Sequence, residues 1–232
     1  MRTKVLIAAA VLAASLASSM AQNVYSLNVV GYANVTLTHG GFTMVANPLD
    51  GTMGGTVPGG NNLTNFFTSV PASSAIYPFV SSSASFGNPA TFSVSKTGVG
   101  GWAGAFDVPP GTGYMFKNPA TTNAVITFVG QVQQGAAIPV TTLLASKAAM
   151  VGSPVPIGGD MTNSIIGLTP HAGDQITLYT TGTGYGNPAA YSVSKTGVGG
   201  WSTMLQIGVG QGFLYKNGST ANNTWTANFT VQ

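Results

Sequence analysis

The decapeptide SVSKTGVGGW stands at Ser93–Trp102 and again, unchanged, at Ser192–Trp201, ninety-nine positions later. The residues leading into it, ATFSVSK and AAYSVSK, alternate apolar and polar side chains. Phe92 and Val94 fall on one face with Ser93 and Ser95 on the other, and Tyr191 and Val193 repeat the arrangement, the period-two pattern of a half-buried antiparallel strand. Both apolar pairs are therefore expected to point into an interior. TGVGG then supplies three glycines in five residues, which suits a tight connection whose backbone takes positive φ. Trp102 and Trp201 open the next strand. The decapeptide reads as strand, hairpin loop, strand.

Working outward, the match extends well beyond the identical ten. At the same offset FGNPATF (Phe86–Phe92) meets YGNPAAY (Tyr185–Tyr191), and GYMFKN (Gly113–Asn118) meets GFLYKN (Gly212–Asn217). Upstream, MVANP (Met44–Pro48) meets MVGSP (Met150–Pro154) at an offset of 106, so the first copy carries about seven extra residues. They are best placed in the glycine-rich stretch after Asp50, since insertions belong in surface loops. The last strand, ITFVGQV (Ile126–Val132), finds its counterpart in ANFTVQ (Ala227–Gln232). The predicted organisation is a signal peptide (1–21), an N-terminal β leader (22–40), β repeat 1 (41–134), a linker (135–146) and β repeat 2 (147–232). Short runs rich in β-branched and aromatic residues, separated by Gly, Pro, Asn and Ser, predict an all-β fold. It consists of two tandem antiparallel β repeats, sandwich or barrel-like. Each carries one short helix, at LTNFFTSV (Leu63–Val70) and MTNSIIGL (Met161–Leu168).

The opening residues, MRTKVLIAAAVLAASLASSMA, place two cations before a short apolar stretch and end in small residues. That pattern predicts a secretory signal cut after Ala21, hence a secreted, cell-surface or periplasmic protein with no membrane span once the signal is removed. Arg2 and Lys4 leave with the signal. The remainder holds five lysines against four aspartates, with no arginine and no glutamate, a net charge of +1. A chain without arginine or a lysine cluster lacks the affinity source of a nucleic-acid binder. Charged residues make up 5% of the chain and hydrophobic ones 44%, the reverse of a disordered composition. The chain has no cysteine, so packing and strand pairing must hold an exported fold together.

The chemistry-bearing residues are sparse. Lys96 and Thr97 beside glycines suggest a phosphate loop, but a Walker loop places its glycines before the lysine and a helix after it. Paired carboxylates for glycoside hydrolysis would have to come from Asp50, Asp107, Asp160 and Asp174, none of which recurs at an equivalent place. Asp107 aligns with Gln206, and Asp174 falls opposite Ala75 or a neighbour. All four read as turn or cap residues. Neither His39 nor His171 sits in a triad motif, and no Gly-x-Ser-x-Gly elbow is present. Asp50 and Asp160 lie in loops where calcium is conceivable, without EF-hand spacing. The reading is a protein with no catalytic residues, no metal and no cofactor. Sequons at Asn34, Asn62, Asn217, Asn222 and Asn228 are those chance supplies in so Asn- and Thr-rich a chain. The candidate ligand-binding residues are Trp102 and Trp201, as sugar-stacking platforms, with Lys96 and Lys195 on the adjoining loops. Against this stands a structural reading in which each tryptophan closes a core.

NVYSLNVVGYANVTL, GFTMVANPL, PPGTGYMFKNP, ITFVGQVQQG and GQGFLYKN together resemble a family of two-repeat, β-rich secreted bacterial proteins without an assigned activity. The resemblance covers the chain after the signal. It implies export and a two-repeat β build, and carries over no catalytic residues. The functional expectation is a secreted, non-catalytic protein acting by contact, as a surface, matrix or assembly component whose partner is itself. The alternative is a carbohydrate-binding module that reaches surface glycans through its repeated aromatics.

Overall fold

The computed structural model describes residues 29–95, 97–161 and 166–231. The expected signal peptide, Lys96 and residues 162–165 of the expected second helix lie outside the described residues. What is described is almost entirely antiparallel β-structure. The first half runs β1 (Val30–Leu37), β2 (Gly41–Ala46), the short helix α1 (Leu63–Phe66), β3 (Ala75–Val80), β4 (Ser85–Phe86), β5 (Ala90–Val94), β6 (Gly100–Ala103), β7 (Gly113–Asn118) and β8 (Ala124–Gln131). The second runs β9 (Thr141–Leu143), β10 (Ala148–Gly152), β11 (Gly159–Asp160), β12 (Gln175–Thr177), β13 (Tyr179–Thr180), β14 (Gly184–Tyr185), β15 (Ala189–Val193), β16 (Gly199–Trp201), β17 (Gln206–Ile207), β18 (Gly212–Lys216) and β19 (Asn223–Trp225). No helix among the described residues is long and apolar enough to cross a membrane.

Strand order is the same in both halves. The first main sheet is ordered β2-β7-β3-β5-β6 with β4 on β3, and the second β10-β18-β12-β15-β16. Registers agree as well. Met44 faces Met115 as Met150 faces Leu214, Ile76 faces Phe116 as Ile176 faces Tyr215, and Phe92 faces Trp102 as Tyr191 faces Trp201.

Pairing carries each unit outside the boundaries of the sequence match. Strand β1, in the leader, pairs along its whole length with β8, and β9, inside 135–146, pairs with β19. Two buried asparagines fix this arrangement. The Asn118 amide donates to Leu37 O at 3.0 Å and Thr122 O at 3.1 Å, and its carbonyl accepts from Ala120 N–H. Asn217 makes the same three bonds to Leu143 O, Ala221 O and Ser219 N–H. A buried amide must find such partners or cost stability, so FKN and YKN end in Asn for a structural reason. It also removes Asn217, 1% exposed, from the sequons open to modification.

The returning last strand is Asn223–Trp225, and Ala227–Gln232 is not its counterpart. Leu143 faces Asn223 where Leu37 faces Ala124, which sets Trp225 in the place of Ile126. Similarity between ITFVGQV and ANFTVQ is two residues out of register with the pairing. Alternating burial of Asn223, Trp225 and Ala227 carries the register instead.

The inner strands of each main sheet are buried on both faces. On one, β1 and β8 send Ala33, Val35, Leu37, Ile126 and Phe128 against Ile76, Phe92, Tyr114 and Phe116, with Phe66 and Phe67 of α1 closing the end. On the other face the two main sheets meet each other through Met44, Met115 and Met150. The sheets are thus stacked as the two inner layers of a sandwich, with the β1–β8 and β9–β19 pairs outside.

The contact between the halves is reciprocal. Ala46 N–H donates to Gly210 O at 2.8 Å, and Gly152 N–H, at the matching position, donates to Gly111 O at 3.0 Å. Bridges Val45–Gln211 and Thr112–Val151 repeat the exchange. This is the pattern of a two-fold interface formed within one chain. Backbone approaches so closely that a Cβ on Gly113 would stand 2.8 Å from Val151 N, and one on Gly212 2.9 Å from Val45 O. The glycines of TGYMFKN and QGFLYKN are there for that contact.

Candidate functional site

The two decapeptides form the same hairpin, bond for bond. Strands β5 and β6 flank the first and β15 and β16 the second. Ser95 N–H donates to Val99 O and Gly98 N–H to Ser95 O, and Ser95 Oγ lies 2.8 Å from Thr97 Oγ1. Ser194, Thr196, Gly197 and Val198 reproduce each contact. Gly98 and Gly197 take φ of 80° and 81°, where a side chain would be strained. A Cβ on Gly100 would run into the Phe92 ring, and one on Gly199 into Tyr191. Ser, Thr and two of the three glycines in each loop are therefore explained by the hairpin itself.

Other members of the decapeptide are not. Val94 and Val193 are exposed, at 45% and 46%, and Val99 and Val198 both at 69%. Of the four residues expected to share an interior only Phe92 is buried in it; Tyr191 is half-buried, and Val94 and Val193 are exposed. The hairpin runs out past the edge of the core: Ala90 and Phe92 are buried in the first copy, whereas in the second only Ala189 is and Tyr191 is half-buried. Gly101 and Gly200 have open space where a Cβ would sit and no unusual φ. Nothing in the fold demands glycine there, and an exposed strand glycine is otherwise a place where another backbone or a ligand comes close.

Trp102 and Trp201 are half-buried on the edge strands β6 and β16. The Trp102 indole donates to Phe67 O at 2.9 Å and packs on Phe92 with centroids 5.3 Å apart. Trp201 packs on Tyr191 at the same 5.3 Å. Each lines a surface recess, the first with Thr64, Thr68, Phe92, Gly100 and Gly101, the second with Pro170, Tyr191, Gly199, Gly200 and Met204. Lys195 is exposed on its loop, and Lys96 lies outside the described residues. Both indoles also pack against the edge of their core, and the one tryptophan fully buried in a core is the third. Trp225 is 1% exposed and donates to Ile166 O at 2.6 Å.

A further recess, of about 280 Å³, opens where the halves meet. It is lined by Phe42, Tyr77, Phe86, Met115, Tyr179 and Tyr185. Tyr179 stands edge-on to both Phe42 and Tyr185, with centroids 6.4 and 5.3 Å away. Burial, and next the neighbouring Tyr179, push the Tyr185 phenol up. No local motif marks this place. Its residues come from six strands of both halves, and only the aromatic before each GNPA was visible as a repeated feature.

The acids are engaged in holding turns. Asp50 accepts from Thr52 N–H and Oγ1, Gly54 N–H and the Asn61 amide. Burial raises its pKa, but these donors outweigh burial and hold the carboxyl below its ordinary value. A carboxylate surrounded by N–H and O–H donors presents the reverse of a cation shell. Asp174 is fully buried and accepts from His171 N–H, Gly218 N–H and the Tyr215 hydroxyl. Its register places it opposite Ser74. Asp107 accepts from the Asn62 amide at 3.3 Å. Among the described residues no group of three His, Cys, Asp or Glu side chains is arranged to hold a metal. Comparisons with protein-family models, with curated proteins and with solved structures gave no match to this chain.

Proposed function

We propose that this is an exported, non-catalytic protein that works by contact, and that its contact elements are the two identical hairpins. The observation that carries the reading is the division within the decapeptide. Ser95, Thr97, Gly98 and Gly100 are accounted for by bonds and clashes inside the hairpin, whereas Val94, Val99 and Gly101 are kept identical in the second copy although no contact of the fold requires them. Two equal valine-tipped surfaces on one body make the protein bivalent, and bivalence multiplies a weak contact without any new one. Low charge leaves little to repel a second copy. Light scattering with increasing concentration tests self-association. A Val99→Asp/Val198→Asp double variant should shift it to monomer while the melting temperature holds, and a wild-type protein monomeric at every concentration removes the reading.

A carbohydrate-binding role for Trp102 and Trp201 is supported by the recess beside each indole and by the open face over Gly101 and Gly200. A glycan array with wild type and a Trp102→Phe/Trp201→Phe variant separates it from self-association.

A further inference from the structure

We infer that the cleft between the two halves is a binding site for a neutral oligosaccharide, independent of both hairpins. Two recesses adjoin there and share Tyr179. One is the aromatic recess described above. The other, of about 320 Å³, has Asn34, Thr36, Thr38, Thr43 and Gln211 in its walls. Neither contains a charged side chain. Together they offer ring faces on one side of Tyr179 and hydroxyl and amide groups on the other. A pyranose has the matching division, with an apolar C–H face and a rim of hydroxyls, and the uncharged walls select against ionic ligands. The aromatic half is near the lower end of small-molecule pockets, roughly 300 Å³. It holds about one ring, and the polar half takes the neighbouring units.

Tyr179 and Tyr185 repeat the pair Phe79 and Phe86, but at two further positions the fold itself does not ask for an aromatic. Register places Ala148 at the position of Phe42, and Thr177 at that of Tyr77. The second half therefore builds the same sheet with a methyl and a hydroxyl where the first has two rings. Phe86 and Tyr185, exposed at 41% and 47%, leave a large part of each ring facing solvent at the cleft mouth. Phe86 and Tyr185 hold equivalent positions in the two halves and both line the recess, which therefore lies across their junction, and Phe42 and Tyr77 add rings from the first half alone.

Saturation-transfer NMR and calorimetry on the full-length protein test the site with maltotriose, cellotriose and xylotriose as neutral probes and trigalacturonate as the anionic control. At least one neutral trisaccharide should bind, with trigalacturonate at least tenfold weaker. A Phe86→Ala/Tyr185→Ala variant, altered only at exposed rings, should weaken binding at least tenfold with an unchanged melting curve. Tyr179→Ala should weaken binding as well, with some loss of stability because the ring also packs on the methionines between the sheets. Trp102→Phe/Trp201→Phe and Val99→Asp/Val198→Asp should leave the affinity as it was, which keeps the outcome separate from the hairpin readings. The inference is overturned if no neutral trisaccharide binds up to millimolar concentration. It is equally overturned if binding is lost in the tryptophan variant and kept in the Phe86/Tyr185 variant, if trigalacturonate binds as well, or if benzyl alcohol occupies the cleft while every sugar fails.

Discussion

The Tyr215 hydroxyl donates a hydrogen bond to the fully buried carboxylate of Asp174, tying the start of β12 to the middle of β18. Ser74 and Phe116 hold the two matching positions in the first half, so the pair is exchanged as a unit. Without a phenol opposite it, Ser74 Oγ is buried with no partner. Tyr215→Phe should destabilise the protein by about 1–3 kcal/mol, because a buried acceptor loses its donor. Asp174→Ser combined with Tyr215→Phe should cost less than the two single changes added together. Denaturant unfolding of the four proteins measures the coupling, and strict additivity would show that the two side chains act separately.

Alkaline pH gives a second reading of the same contact. Burial, together with the Asp174 carboxylate, raises the Tyr215 phenol far above its ordinary value, and burial does the same to Tyr114. A group whose pKa is raised on folding stabilises below its unfolded pKa, and that contribution is lost as pH climbs above about 10. Absorbance titration should therefore show Tyr114 and Tyr215 ionising only with unfolding, while stability declines from pH 10 upward. Titration of all tyrosines in one reversible step near pH 10 would contradict this.

Acid acts through Asp50, in the opposite direction. Its depressed pKa means that its stabilising contribution is present above about pH 4 and is lost as pH falls through the folded value. Asp50→Asn should lower the melting temperature at pH 6 and flatten its decline between pH 4 and 2. Parallel curves for the two proteins would place the acid sensitivity elsewhere.

Trp225 and Trp102 should differ in what their removal costs. Trp225→Ala should lose roughly 3–5 kcal/mol, the cost of emptying a fully buried aromatic site. Trp102→Ala should lose only about half as much, since one side of its indole already faces water and its remaining debt is the Phe67 carbonyl. Chemical denaturation ranks them, and equal losses would mean that the Trp102 recess is closed in solution.

Much of the fold was legible in local pattern. Alternation around FSVSK, the glycines of TGVGG and the matched GYMFKN and GFLYKN segments specify antiparallel strands and hairpins by rules that act within a few residues, and the structure has them. Strand membership of VTL in the leader and TTL in the linker was less visible. Three residues carry little periodicity, and what recruits them is the amide of an asparagine at least 74 positions away. The exposure of Val94 could not be read from its alternation with Phe92, because alternation assigns a face but not how far the covering layer reaches along it. The same limit explains the tryptophans, since composition marks them all as core candidates and only the stacking of layers buries Trp225 while leaving Trp102 and Trp201 at an edge. The cleft at Phe42, Tyr77, Tyr179 and Tyr185 belongs wholly to tertiary structure. Its rings come from both halves of the chain, and they meet because reciprocal backbone bonds at Ala46 and Gly152 hold the two sheets face to face.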